Sequence, residues 1–371
     1  MNDRPVSERL PPCAVLGILG GGQLGRMIAL AAARLGYRTH VYCPEPDNPA
    51  SEVATDATFA AYDDESALAL FAASVSAVTY EFENVPAATA AFLEAKTRVR
   101  PGWRVLETAQ DRIKEKKFFA LIGLGAAEWR AVSSFEDLVT AIEGIGMPCV
   151  LKTARLGYDG KGQAKIQVSA DAAEAWSAIG GDKSVRHADG GAYAIVEKLI
   201  PFASEISVLV ARDGAGRIKS FEPSENVHAN HILATSTVPA RVTPGVVTAA
   251  TIAAERAATA IKLVGLLAIE FFVTREGTIL GNEMAPRPHN SGHWTMDACQ
   301  TDQFEQLVRA VMGLPLLDPL RHSDVVMHNL IGDQVAGIDA YLSDPRAHVH
   351  LYGKRETRPG RKMGHVNVLK G

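Results

Sequence analysis

Apolar residues in this 371-residue chain recur in two alternating patterns. "CAVLGILGG" (13–21) is a continuous apolar run ending in glycines, as a buried strand does. "QLGRMIALAAARLG" (23–36) follows as an alanine-rich helix closed by Gly36. "YRTHVYC" reads as a second strand, stopped by "PEPDNPA". A helix over Asp64–Ala73, a strand over Ala77–Tyr80 and a helix over Ala87–Lys96 continue the series. Strands alternating with helices predict a doubly wound parallel sheet.

Past residue 110 the pattern changes to α+β. Helices are predicted over Gln110–Gly123 and Phe135–Gly144, and hairpin-like strands begin at Val150: "CVLKTA", "GQAKIQV", "YAIVEKLI", "EISVLVARD" and "RIKSFEPS". A helix over Thr243–Gly265 precedes the strand pair "AIEFFVT" and "TILGNEMAP", and another covers Thr301–Met312. Short strands at Val325–Ile331 and His348–Tyr352 predict a small β-rich C-terminal region.

Composition narrows the class of protein. Charges nearly cancel, 38 basic against 42 acidic residues, so no global field draws the chain to nucleic acid or membrane. The N-terminal stretch is polar with no apolar signal core, and "MIALAAARL" falls well short of the ~18 residues of a membrane span. Cys13, Cys43, Cys149 and Cys299 are far apart, which suits reduced thiols rather than disulfides or zinc. A soluble cytoplasmic enzyme is the expectation.

Five segments carry candidate chemistry. Gly20, Gly22 and Gly25 complete G-x-G-x-x-G between a strand and a helix, where bare amides attract an anion. No acid closes the second strand to hold a dinucleotide ribose, so a phosphate or a structural turn fits better than a nicotinamide cofactor. "GYDGKGQ" (157–163) is an amide-rich flap with Lys161 at its tip, and Lys152 on the preceding strand faces away from Leu151. Glu270 and Glu283 are carboxylates in apolar strands that read as one hairpin; with Asn282 they make an oxygen-donor set suited to magnesium and phosphates. "APRPHNSGHWT" gathers Arg287, His289, Asn290, Ser291 and His293 in a polar loop whose prolines exclude a helical zinc pair. Lys354, Arg355, Arg358, Arg361 and Lys362 form a basic cluster without interleaved aromatics, suited to one phosphomonoester.

Together these pieces resemble the ATP-grasp superfamily. "LGGGQLGRM", "YEFENVP", "QDRIKEKKFF", "GYDGKGQ", "ENVHANHIL", "NEMAPRPHNSGHWT" and "RPGRKMGHVN" narrow the resemblance to the 5-(carboxyamino)imidazole ribonucleotide synthase family of purine biosynthesis, in register from about residue 13 to residue 369. The resemblance implies an ATP-grasp fold with an N-terminal Rossmann-like domain over 1–110. An ATP-grasp domain over 111–315 would include a lid at 151–200, and a small C-terminal domain would cover 316–371. It also implies ATP-dependent carboxylation of 5-aminoimidazole ribonucleotide by bicarbonate through carboxyphosphate, with ATP and magnesium and without biotin.

The same resemblance distributes roles. Arg112, Lys152, Gly157, Gly160, Lys161, Gly162 and Gln163 would hold ATP phosphates; Glu197, Lys198, Leu199 and Ile200 would form the adenine hinge. Glu205 would bind the ribose, His228 and Asn282 would lie near the phosphates, and Glu270 and Glu283 would bind magnesium. Tyr158, Asp159, Arg287 and His289 are candidates for the carboxylation centre. Gln23, Leu24, Glu81, Glu83, Asn290, Ser291, Lys354, Arg361 and Lys362 would take the ribonucleotide. A homodimer is implied, with a downstream mutase as metabolic partner. The competing readings are a formate-dependent transformylase or biotin-dependent carboxylase on the same fold, a nicotinamide oxidoreductase, and a non-catalytic ATP-binding regulator.

Overall fold

The structure, a computed structural model, describes residues 9–157, 162–181 and 191–370. Strands β1 (Val15–Leu19), β2 (Arg38–Cys43), β3 (Asp56–Phe59) and β4 (Ala77–Tyr80) form a parallel sheet in the order β3-β2-β1-β4. Leu16, Ile18 and Leu19 are fully buried between helices, which is why β1 reads as an unbroken apolar run. The helices are α1 (Gln23–Arg34), α2 (Glu65–Ser74) and α3 (Ala87–Glu94). Asp64 caps α2 by accepting the Ala67 N–H, so the helix begins one residue later than predicted. β3 was not predicted, because this half-exposed edge strand carries no apolar alternation.

The single helix expected over Gln110–Gly123 is two, α4 (Trp103–Gln110) and α5 (Arg112–Leu121). Asp111 between them is extended, and its carboxylate accepts the Ile113 and Lys114 N–H groups. That cap starts α5 afresh and turns its first residues toward the site.

A four-stranded antiparallel sheet comes next: β5 (Trp129–Val132), β6 (Cys149–Thr153), β7 (Gln163–Ile166) and β8 (Ala194–Lys198), in the order β5-β8-β6-β7. Helices α6 (Phe135–Ile145) and α7 (Ala172–Ala178) share its core with Leu151 and Val196. The sheet reaches back to Trp129, ahead of the lid boundary predicted at 151.

The third sheet is built of β9 (Ser204–Arg212), β10 (Ile218–Ser220), β11 (Ser224–Ala229), β12 (Ile232–Val238), β13 (Gly265–Val273), β14 (Ile279–Ala285), β15 (Asp324–Ile331), β16 (Ala347–Leu351) and β17 (Lys362–Lys370). Its order is β14-β13-β9-β11-β12-β15-β17-β16, with β10 on β9. The C-terminal strands are thus joined to the sheet through the β12–β15 pair. β17 is not among the predicted strands; of the predicted basic cluster only Lys362 lies on it, and its middle residues are buried on both faces. Helix α8 (Pro244–Ala260) starts just after Thr243, which caps it and stands at the predicted start, but ends before Gly265, which already belongs to β13.

The short helix α9 (Thr295–Ala298) leads to α10 (Gln303–Met312), which joins the first and third sheets. One core runs from Ile18 and Ile28 through Phe304, Leu307 and Val308 to Leu209 and Leu266, and Arg34 pairs with Asp302 at 2.8 Å. Each such buried aliphatic side chain is worth roughly 1.5–3 kcal/mol. This packing brings the ends of β1 and β4 against the residues following β14. Among the described residues no helix is long and apolar enough to cross a membrane.

Candidate active site

The predicted carboxylates meet. Glu270 on β13 lies directly across from Glu283 on β14, and His289 from the following loop joins them. One ligand atom from each lies within 4.8 Å of the other two, the one such group among the described residues. Burial first, and the neighbouring Glu283 second, push the Glu270 carboxyl up to about 8, while the Asn282 side chain hydrogen-bonds it. Two crowded carboxylates that resist ionising together are what a cation would relieve. His289, expected at the carboxylation centre, therefore belongs to this cluster. Burial and the nearby Arg287 and Lys362 charges push it down to about 3, so the imidazole is neutral and able to ligate.

Cations lie beside the acids. Lys152 donates to Glu197 Oε2 at 2.9 Å, and Lys116 lies 3.7 Å from the other oxygen. Burial alone would raise the Glu197 carboxyl, but Lys152, Lys116 and Arg112 bring it down to about 2. Arg112, at the start of α5, reaches Glu283 at 3.5 Å. The side chain of Glu197 is thus spent on lysines, and any hinge function falls to the backbone. The Lys198 and Leu199 amides already donate to Glu128 and Pro148 carbonyls. Glu205, expected at a ribose, pairs with His228, which it carries above its ordinary pKa against the opposing effect of burial.

The first glycine loop holds a buried carboxyl group of its own, which burial pushes above its ordinary pKa. Glu81 accepts the Gly22 N–H at 2.8 Å and the Gly25 N–H at 3.3 Å. A Cβ on Gly22 would stand 2.7 Å from the Glu81 carboxylate, so glycine is needed for this approach. A dinucleotide pyrophosphate would meet that carboxylate, which removes the nicotinamide reading. Glu81 therefore holds the loop, leaving Gln23 and Leu24 as its candidates for a ligand. Glu83 forms an ion pair with Arg287, whose charge overcomes burial to keep the Glu83 carboxyl low. That pair ties the end of β4 to the loop after β14.

The loop 287–293 is held from behind by residues the motifs do not reveal. Gln303, fully buried on α10, accepts the His289 N–H at 2.8 Å and donates to the His289 carbonyl at 2.9 Å and to His293 Nδ1 at 3.0 Å. Ser291, expected to touch substrate, is fully buried instead; it contacts His289 Nδ1 at 2.8 Å and accepts from Ser207 at 2.6 Å. Asn290 is buried with neither amide atom partnered, as suits a group awaiting a ligand or water. Gln303→Leu is expected to cost about 1–3 kcal/mol by orphaning the His289 backbone. Urea denaturation measures it, and an unchanged midpoint would contradict the clamp.

At the C-terminal side, Lys354 donates to the Lys362 carbonyl at 2.7 Å and Arg361 to the Glu356 carbonyl at 2.8 Å. Gly157, Gly162 and Gln163 flank the flap, whereas Tyr158, Asp159, Gly160 and Lys161 lie outside the described residues.

Three protein-family models match: a ribonucleotide synthetase preATP-grasp domain over residues 13–110, an ATP-grasp domain over 117–304, and a phosphoribosylaminoimidazole carboxylase C-terminal domain over 325–371. The N5-carboxyaminoimidazole ribonucleotide synthase of Brucella melitensis biotype 1 is 48% identical over 361 residues, covering 97% of this chain and 98% of the relative. This chain belongs to the N5-carboxyaminoimidazole ribonucleotide synthase family. A crystal structure of an ADP complex of such a synthetase matches with a TM-score of 0.92 at 42% identity, covering 98% of this chain and 94% of that one. The synthase of Aspergillus clavatus, solved with ADP and 5-aminoimidazole ribonucleotide, matches at 0.87 and 28%, covering 96% and 94%. The transformylase and biotin-dependent carboxylase families share the ATP-grasp fold; the match to the synthases along nearly the whole chain, C-terminal domain included, sets this chain apart from them. Lys116 lies within "QDRIKEKKFF" but is not among the predicted site residues; its i,i+4 spacing from Arg112 on α5 is the signal that places it on the same face.

Proposed function

We propose that this chain carboxylates the exocyclic amine of 5-aminoimidazole ribonucleotide with bicarbonate at the expense of ATP. The observation that carries the reading is the facing Glu270–Glu283 pair, flanked by Arg112 and continued by the Arg287–His289 loop. A bicarbonate oxygen attacks the γ-phosphorus of ATP, the bond to the β-phosphate oxygen breaks, and carboxyphosphate and ADP result. The amine then attacks the carbonyl carbon, a C–N bond forms, the C–O bond to phosphate breaks, and the amine gives up a proton.

Chemistry of this kind is mostly positioning and charge neutralisation. Lys152 and Arg112 neutralise phosphate oxygens, and the hinge carbonyls with the Ile200 amide read the base. Glu270, Glu283 and Asn282 fit a magnesium ion, which when bound would neutralise the same phosphates. Arg287, fixed by Glu83, holds bicarbonate and carboxyphosphate beside the amine. Lys354, Arg361 and Lys362, with the Gln23 and Leu24 amides, take the ribonucleotide phosphate. Asp159, supported by the motif match, accepts the amine proton. A cytoplasmic homodimer supplying a downstream mutase completes the reading.

The test is ADP release from MgATP with and without the ribonucleotide and bicarbonate. Strong stimulation that requires both, with an acid-labile carboxylated product, is expected; ATP turnover indifferent to the ribonucleotide overturns the substrate. In the same assay Asp159→Asn should lose carboxylation while retaining ADP affinity, and full carboxylation would remove Asp159 from its role.

A further inference from the structure

Two fully buried ionisable side chains take no direct part in the reaction above. Glu115 and Lys116 are neighbours on α5, 2% and 1% exposed. Both are committed to the backbone of β14. Met284 N–H donates to Glu115 Oε1 at 2.6 Å, and Lys116 Nζ donates to the Asn282 carbonyl at 2.6 Å and the Gly281 carbonyl at 3.4 Å. The two short bonds bracket Glu283.

β14 is irregular at this point. Glu270 faces Glu283 but Phe271 faces Gly281, so Asn282 is an extra residue opposite one step of β13. Consecutive side chains of a regular strand point to opposite faces. Here Asn282 hydrogen-bonds Glu270 while Glu283 joins Glu270 and His289, so both side chains serve the same centre. A bulge disrupts the ladder, and buried backbone groups require other partners. Glu115 and Lys116 supply them. Gly281 admits the helix this close, since a Cβ there would stand 2.9 Å from Phe119 and Leu124 atoms. Lys116 also approaches Glu197, which ties the bulge to the strand facing Lys152.

We propose that Glu115 and Lys116 are positioning residues that hold the β14 bulge, so that Asn282 and Glu283 serve one divalent cation bound with nucleotide. The inference rests on the magnesium reading of Glu270 and Glu283.

The test measures ADP affinity of the full chain by calorimetry, once with magnesium and once with chelator. Glu115→Leu deletes the acceptor and is expected to cut the magnesium-dependent gain about tenfold, with metal-free ADP affinity held within about twofold. Glu115→Gln keeps a carbonyl acceptor for Met284 and is expected to stay within about threefold of the parent. Lys116→Met should repeat the pattern of Glu115→Leu, and it serves alone if that variant does not fold. An undiminished magnesium gain, equal losses with and without metal, or a Glu115→Gln loss as large as that of Glu115→Leu would overturn the proposal. Failure of both apolar variants to fold assigns the pair to stability and overturns it as well. A parent protein that binds ADP equally with and without magnesium removes the magnesium reading itself, a separate result visible before any variant is made.

Discussion

Lys152→Met is expected to lower kcat for ADP formation about 10²–10³-fold, the usual cost of removing one preorganised charge-stabilising donor. Lys152 is the nearest cation to Glu197, 2.9 Å away in a pair whose side chains are 13% and 3% exposed. The substitution also strips a buried carboxylate of that partner, leaving Lys116 at 3.7 Å. Breaking a buried pair from one side costs about 3–5 kcal/mol.

The acid limb of stability gives an independent sign. Glu197 is held at about 2 against an ordinary 4.5, because its three cations outweigh burial. Its contribution is fully present above pH 4.5 and disappears as pH falls through 2. Lys152→Met should move that loss to higher pH. Lys152→Met/Glu197→Leu removes both charges, and stability should recover while activity does not. Recovery of both would show that Lys152 matters only to the fold.

Glu270→Gln should separate stability from activity in the opposite direction. The Glu270 carboxyl is pushed up to about 8 by burial and then by Glu283, against an ordinary 4.5. Below pH 4.5 folded and unfolded chains both carry the proton, and between 4.5 and 8 only the folded chain keeps it. Metal-free stability therefore falls as pH rises through this window and levels off above it. Glutamine needs no proton, so the slope should flatten and the metal-free Tm at pH 8 should rise by at least about 2 °C. The same change removes a charged oxygen from the proposed cation site, and MgATP turnover should fall at least about 100-fold. Calorimetric scans in chelator from pH 5 to 9, beside the ADP-release assay, test both halves. A flat pH dependence in the parent, or unchanged turnover in the variant, would contradict the site.

Local patterns were the readable part of this protein. The run Val15–Leu19 into glycines, the helix starts at Asp64 and Thr243, and the acids in "AIEFFVT" and "GNEMAP" are legible because each signal is complete within a few residues. Half-exposed edge strands such as β3 and β5 lack that signal and were missed. The motif segments also named candidate site residues, and three of them, Glu270, Glu283 and His289, do converge.

How those groups are held was decided only by tertiary packing. Nothing near Glu81 in sequence says that its carboxylate fills the Gly22–Gly25 loop, and nothing near His289 points to Gln303. The backbone at the Asn282 bulge bonds to side chains of α5, more than 160 residues earlier in the chain. A reactive side chain announces itself by its type and by a local pattern. A supporting hydrogen bond pairs common residue types across long sequence separations, so it exists only once the sheets and helices have met.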